Sequence, residues 1–117
     1  MNVLIIEDDK VLALLLKKMV ERLEYQVIGT YTKGSDAIKK TRELIPDLVL
    51  MDIMLEDDID GIEATKEFQK TNTSSKVIYI TGNSDIYNRE RANSTEHIDY
   101  LVKPISLDDL KNTIEKI

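Results

Sequence analysis

The chain has 117 residues, 42% of them hydrophobic and 32% charged, which suits one compact domain with a well-solvated surface. Its 16 basic and 22 acidic side chains give a formal net charge of −6, so direct binding to nucleic acid is not expected. The absence of cysteine excludes disulfides, thiolate metal sites and a cysteine nucleophile, and it fits a reducing compartment such as the cytoplasm.

Five short apolar runs, rich in β-branched residues, are spaced along the chain at residues 3–6, 27–28, 48–51, 77–80 and 98–102. Most of them are continuously apolar, which predicts strands covered on both faces. The longest apolar stretch, residues 11–16, is far too short to span a bilayer, so no membrane association is expected.

Segments with helical spacing lie between these runs. Two amphipathic stripes are formed by Leu12, Leu16, Met19 and Leu23, and by Leu107, Leu110, Ile114 and Ile117. Ser106 precedes the second stripe as a typical N-cap, and further helices are predicted over residues 36–43, over residues 60–70 and from about Ser84. Strand and helix therefore alternate five times. This order predicts an α/β domain over residues 1–117, a flavodoxin-like doubly wound (βα)5 fold whose five-stranded parallel sheet has the order 2-1-3-4-5.

Polar side chains follow four of the predicted strands: Glu7 and Asp8, then Asp52, Thr81 and Lys103. The carboxyl ends of parallel strands share one edge, which is where such sheets bind ligands. Three carboxylates gathered there repel each other, so either one is protonated or a cation lies among them. All-oxygen ligation favours Mg²⁺. With such an ion a carboxylate can act as a nucleophile on phosphorus, while Thr81 donates a hydrogen bond and Lys103 supplies positive charge.

Each of these residues also has an ordinary structural interpretation. The acids at residues 7–9 are typical of a helix N-terminus, Asp52 and Thr81 are common turn residues, and Lys103-Pro104 is a common loop dipeptide. Their joint placement at the ends of four strands favours a functional site.

The motifs together resemble the receiver domains of two-component response regulators, including the chemotaxis response proteins. They are VLIIEDD at residues 3–9, PDLVLMD at 46–52, DG at 60–61, TG at 81–82 and YLVKP at 100–104. The resemblance covers the whole chain. It implies a regulatory domain, not an enzyme acting on other substrates, that accepts a phosphoryl group from a sensor histidine kinase or a histidine phosphotransfer protein.

The resemblance also implies a role for each matched residue. Asp52 is the phosphoacceptor. Mg²⁺ (or Mn²⁺) binds directly to Asp8, Asp52 and the backbone carbonyl of Met54, whereas Glu7 acts on the ion mostly through water. Thr81 and Lys103 engage the phosphoryl group, and the Lys103-Pro104 peptide bond is cis. Tyr100 is the switch aromatic that turns inward with Thr81, although an ordinary half-buried strand tyrosine is the alternative. Phosphorylation then reshapes the surface of helix four, strand five and helix five, which serves an output domain or a dimer.

The loop over residues 53–60, here called the acidic loop, departs from the commonest family form because it lacks a proline and is one residue longer. Glu56, Asp57 and Asp58 are expected to be solvated, with an indirect role at the metal as the alternative. Met54 and Asn83 occupy the positions that tune dephosphorylation in the family. His97, the only histidine, is expected to be structural.

Other functions on a similar fold fit the sequence less well. A haloacid-dehalogenase-like phosphatase needs a nucleophile after the first strand and a general acid two residues later, where this chain has Met54 after Asp52. A nucleotide- or flavin-binding domain needs a phosphate loop after strand one, where this chain has acids. A receiver that serves only for docking would lack a site residue, and none is missing.

Overall fold

A computed structural model describes residues 1–82 and 86–117 of the chain. Asn83, to which the sequence assigns a tuning role, and Ser84, the predicted start of the fourth helix, lie outside the described residues. Strands and helices alternate in the order β1 (Asn2–Ile6), α1 (Lys10–Arg22), β2 (Gln26–Tyr31), α2 (Gly34–Leu44), β3 (Leu48–Met51), α3 (Gly61–Gln69), β4 (Lys76–Thr81), α4 (Ile86–Ala92), β5 (Asp99–Val102) and α5 (Leu107–Ile114).

Within the described ranges the five strands form one parallel sheet in the order β2-β1-β3-β4-β5, as predicted. Both faces of the sheet are covered. Residues of β1, β3 and β4 alternate between two apolar clusters, one packed against α2, α3 and α4 and the other against α1 and α5. This two-sided burial explains why the central strands are continuously apolar instead of alternating with polar residues.

Capping residues set the starts of three helices. Asp9 accepts hydrogen bonds from the amides of Val11 and Leu12, so the ordinary interpretation holds for this one acid of the N-terminal motif. Asp60 and Ser106 each form a capping box, at α3 and α5 respectively. These caps confirm the predicted N-cap at Ser106 and place the start of α3 at Gly61.

The second strand and the second helix are longer in the structure than the sequence predicts. β2 extends over Gln26–Tyr31 because it pairs along its length with β1, although only two of its residues form an apolar run. α2 begins at Gly34, two residues before the predicted start, and Lys33 at its N-cap makes no side-chain hydrogen bond. The amides of these two additional residues find their hydrogen-bond acceptor in a distant part of the chain. None of the helices within residues 1–82 and 86–117 is long and apolar enough to cross a bilayer.

Candidate functional site

The structure brings the predicted site residues to one edge of the sheet. Glu7 and Asp8 follow β1, Asp52 follows β3, Thr81 ends β4 and Lys103 follows β5. The strand ladders continue into these residues, because the amide of Asp52 donates to the Ile6 carbonyl (2.9 Å) and that of Lys103 to the Thr81 carbonyl (2.8 Å). The Lys103-Pro104 peptide bond is cis, in agreement with the resemblance.

Lys103 connects two of the carboxylates. Its Nζ lies 2.8 Å from Glu7 Oε1 and 3.1 Å from Asp52 Oδ2, although Glu7 is only 1% exposed and Asp52 only 4%. Burial lowers the pKa of Lys103, but the two carboxylates outweigh this effect and hold the pKa above its usual value. The ammonium of Lys103 therefore stays charged in the site.

The ionised form of the Glu7 carboxyl group is disfavoured in this site. Burial, and then the neighbouring Asp52, raises the pKa of Glu7 to about 8, in spite of the opposing effect of Lys103. Its Oε2 accepts a hydrogen bond from the Asp9 amide (3.1 Å), whereas its buried Oε1 has only the close contact with Lys103 and no well-oriented hydrogen bond within the described residues. Without a metal, Glu7 is therefore mostly protonated at neutral pH.

A divalent cation fits this group of acids. Glu7, Asp8 and Asp52 each offer a carboxylate oxygen, and these oxygens lie within 4.8 Å of one another. Asp8 is exposed, so the site has an open side for solvent and for a phosphoryl group. The donors are all oxygen, as Mg²⁺ prefers, and the buried Oε1 of Glu7, which has no hydrogen bond within the described residues, could accept from a water molecule bound to the ion. The Met54 carbonyl stays a predicted ligand.

Thr81 and Tyr100 occupy neighbouring strands near this edge. Thr81 is fully buried, and its partner in the ladder is Val102. The side chain of Tyr100 is buried at 7% exposure, with its ring 6.1 Å from that of Tyr79 and the guanidinium of Arg89 4.6 Å above it. Tyr100 thus lies inward in this structure, between β4 and α4. Its role as a switch stays a prediction.

The acidic loop corrects one expectation from the sequence. Glu56 and Asp58 are exposed, as expected, but Asp57 is not simply solvated. Its Oδ1 accepts from the Gly34 amide (2.8 Å) and its Oδ2 from the Ser35 amide (3.0 Å), so this carboxylate caps α2. Partial burial raises the pKa of Asp57, but the hydrogen bonds outweigh this effect, so the pKa lies below its ordinary value. The signal that sequence analysis missed was Lys33, a poor N-cap that leaves these amides in need of an acceptor.

His97 lies away from this edge, as expected. It precedes β5 at the opposite end of the strand, where its Nδ1 is 3.1 Å from the Thr95 carbonyl oxygen and its ring lies 5.3 Å from that of Tyr79.

Residues 3–115 match the family model described as the response regulator receiver domain. The chain is similar to the chemotaxis protein CheY of Thermotoga maritima, with 30% identity over 116 residues that cover 99% of this chain and 96% of that protein. It is also similar to the response regulator protein VraR of Staphylococcus epidermidis, with 33% identity over 116 residues that cover 98% of this chain. The chain spans only 55% of VraR, about half the length of that relative.

Solved structures give the same picture. The receiver domain of the sensor histidine kinase PA1611 from Pseudomonas aeruginosa PAO1 superposes with a TM-score of 0.86 at 26% identity, over 98% of this chain and 94% of that one. That structure holds a magnesium ion coordinated in its active site cleft.

Proposed function

Because this chain belongs to the response regulator receiver family of two-component systems, we propose that residues 1–117 form one receiver domain in which Asp52 accepts a phosphoryl group. The observation that carries this proposal is the position of Lys103 Nζ, 3.1 Å from Asp52 Oδ2 and 2.8 Å from Glu7 Oε1, beside a cluster of three carboxylates. The domain is regulatory, and the only reactions that it catalyses are its own phosphorylation and dephosphorylation.

The chemistry follows from the residues at the site. Asp8, Asp52 and the Met54 carbonyl would hold Mg²⁺, with Glu7 acting mostly through water, and the bound ion would neutralise charge on the phosphoryl oxygens. The receiver domain of PA1611 holds a magnesium ion in its active site cleft, which supports this part of the proposal. An oxygen of Asp52 forms a bond to phosphorus as the phosphorus–nitrogen bond of a phosphohistidine breaks. Lys103 balances the negative charge that develops on the phosphoryl oxygens, and Thr81 donates its hydroxyl hydrogen bond to the transferred group.

The switch is a shift between two populated arrangements. Phosphorylation adds nearly two negative charges and new acceptor oxygens at Asp52, which favour the arrangement with Thr81 and Lys103 drawn toward them. Tyr100 lies on β5 three residues before Lys103, with Arg89 of α4 over its ring, so its environment changes with that of Lys103 and Thr81. The surface of α4, β5 and α5 then controls an output domain or a dimer. Unchanged solution size and unchanged partner affinity after phosphorylation contradict this part.

The phosphodonor is a sensor histidine kinase or a histidine phosphotransfer protein. The chain's lack of cysteine fits a cytoplasmic location.

The donor must reach Asp52 over the open edge of the site. α1 begins directly after Asp9 and exposes Val11, Leu14 and Leu15 at 80%, 54% and 48%. Positions i, i+3 and i+4 share one helix face, so these side chains form an apolar surface beside the site that suits a helical donor.

Incubation with Mg²⁺ and acetyl phosphate, followed by intact mass measurement, tests the proposal. The wild-type chain is expected to gain one phosphoryl group, which chelation of Mg²⁺ prevents, and the Asp52→Asn variant is expected to gain none. Equal labelling of the two proteins contradicts the assignment of Asp52.

A further inference from the structure

The base of the acidic loop is fixed next to the phosphoacceptor. The Gly61 amide donates to the Ile53 carbonyl (2.8 Å), which closes the loop, and the Ile53 amide donates to Asp52 Oδ1 (2.7 Å). A side chain at position 61 would collide with the carbonyl oxygen of Asp52, so glycine lets the two ends of the loop meet. Asp52 and the loop base therefore form one rigid unit.

The tip of the acidic loop is fixed to a different part of the chain. The Glu56 amide donates to the Thr32 carbonyl (3.1 Å), and the carboxylate of Asp57 accepts from the amides of Gly34 and Ser35. A side chain at position 34 would collide with the carbonyl group of Ile59, so glycine is also needed where the loop meets α2. The loop thus packs closely against the start of α2.

Asp57 is the only side chain that makes this connection through two hydrogen bonds within the described residues. The N-cap residue of α2, Lys33, offers no acceptor of its own. The first amides of a helix need acceptors from outside the helix, and the carboxylate of Asp57 supplies them for α2. The same two hydrogen bonds attach the tip of the loop to α2.

We propose that Asp57 is a positioning residue for the phosphorylation site. Met54 lies between the fixed base and the fixed tip, and its side chain is 64% exposed, so its backbone is held by these two attachments and by the neighbouring Leu55, which packs against the apolar core. By holding the tip, Asp57 keeps this part of the loop beside the carboxylates of Asp52 and Glu7. The inference rests on the proposed function, because it takes the Met54 carbonyl as a ligand of Mg²⁺.

A Mg²⁺ titration followed by amide chemical shifts, together with amide hydrogen exchange, tests this role without any phosphodonor. Asp57→Ala removes both acceptor oxygens. Asp58→Ala is the matched control, because it removes the same charge from the neighbouring position of the loop. The side chain of Asp58 is exposed and makes no hydrogen bond among the described contacts. Asp57→Asn keeps one oxygen acceptor and measures partial rescue.

Asp57→Ala is expected to weaken Mg²⁺ binding by roughly tenfold, as removal of groups that support metal ligands commonly does. Exchange of the Gly34, Ser35 and Glu56 amides is expected to become faster. Asp58→Ala should match the wild type in both measurements, and Asp57→Asn should lie between the wild type and Asp57→Ala.

Wild-type Mg²⁺ affinity in Asp57→Ala, combined with fast exchange at Gly34 and Ser35, overturns the inference, because Asp57 is then only a helix cap. If Asp57→Ala does not fold, Asp57→Asn alone decides the test. Faster exchange at the Gly34 or Ser35 amide in that variant, combined with wild-type Mg²⁺ affinity, overturns the inference. A wild-type chain that binds Mg²⁺ but is never phosphorylated contradicts the proposed function and leaves this test intact.

Discussion

The ammonium of Lys103 lies 2.8 Å from Oε1 of Glu7, a carboxyl group that is 1% exposed and stands near the other end of the chain. The same ammonium lies 3.1 Å from Asp52 Oδ2. One cation thus faces two buried acids, and burial together with the neighbouring Asp52 raises the pKa of Glu7 to about 8, so Glu7 is mostly protonated at neutral pH without a metal. Glu7 is expected to lose this proton above about pH 8, or at lower pH when a divalent cation binds.

Replacement of Lys103 by methionine should slow phosphorylation of Asp52. The substitution keeps a similar side-chain length but removes the charge that faces the transferred group, and loss of one such stabilising group commonly reduces rates about 100-fold. The rate of mass gain from acetyl phosphate measures the effect. Lys116→Met is the matched control, because Lys116 forms only a surface ion pair with Asp99 (2.7 Å). An unchanged rate in Lys103→Met refutes the role given to Lys103.

The stability of the metal-free protein should fall as the pH rises from about 4.5 to about 8. The pKa of Glu7 is about 8 in the folded chain, against 4.5 as its ordinary value. The folded state therefore binds the extra proton, and its contribution is complete below pH 4.5 and lost as the pH rises through 8. Denaturant midpoints in chelator, compared between wild type and Glu7→Gln, measure this. The variant should lose this part of the pH dependence; identical slopes for both proteins rule out a raised pKa.

The same protonation makes Mg²⁺ binding pH-dependent. Because Mg²⁺ requires ionised carboxylates, it competes with the proton on Glu7, so the affinity should increase as the pH rises from 6 to about 8 and then level off. Shift titrations at several pH values give the dissociation constants. Asp58→Ala should show the same profile as the wild type. A flat profile below pH 8 contradicts the assignment of Glu7 as the proton-holding ligand.

The sequence could predict the site at this level because its residues follow the strands directly. In a parallel sheet the carboxyl ends of all strands share one edge, independently of the exact bounds of the helices. The strand positions alone therefore predict that these side chains lie at one edge: Glu7, Asp52, Thr81 and Lys103. The pairing of Glu7 with Lys103 depends on side-chain directions and burial, which are tertiary properties. The raised pKa of Glu7 could therefore be expected only as one of two alternatives.

The cap of α2 shows what local patterns could not predict. Asp57 and Gly34 are far apart in the chain, and although Lys33 indicates that the first amides of α2 lack a local acceptor, no local pattern identifies Asp57 as the acceptor. The acidic composition of the loop suggested solvated side chains, which holds for Glu56 and Asp58. The start of α2 was missed for the same reason, since its acceptor comes from a distant loop instead of from a preceding residue.

Arg89 and Tyr100 should be coupled energetically. The guanidinium lies 4.6 Å from the ring centroid, a geometry that contributes about 0.5–1 kcal/mol where the cation is exposed. A double-mutant cycle with Arg89→Ala and Tyr100→Leu, followed by denaturant unfolding, measures the coupling. The matched cycle of Arg91→Ala with Tyr100→Leu should give a smaller value, because Arg91 pairs with Asp60 instead (2.8 Å). Equal coupling energies in the two cycles exclude a specific contact between Arg89 and Tyr100.

Leu15→Asp should slow phosphoryl transfer from a phosphohistidine protein and leave transfer from acetyl phosphate unchanged. Leu15 is 48% exposed on the apolar face of α1 beside the site, so a charge there opposes a protein donor but does not touch the chemistry at Asp52. Leu44→Asp is the matched control, since Leu44 is 42% exposed at the C-terminal end of α2, away from the site. The ratio of the two transfer rates, measured for each variant, isolates docking from catalysis. A loss with both donors, or the same ratio for Leu15→Asp and Leu44→Asp, excludes this face of α1 as the donor surface.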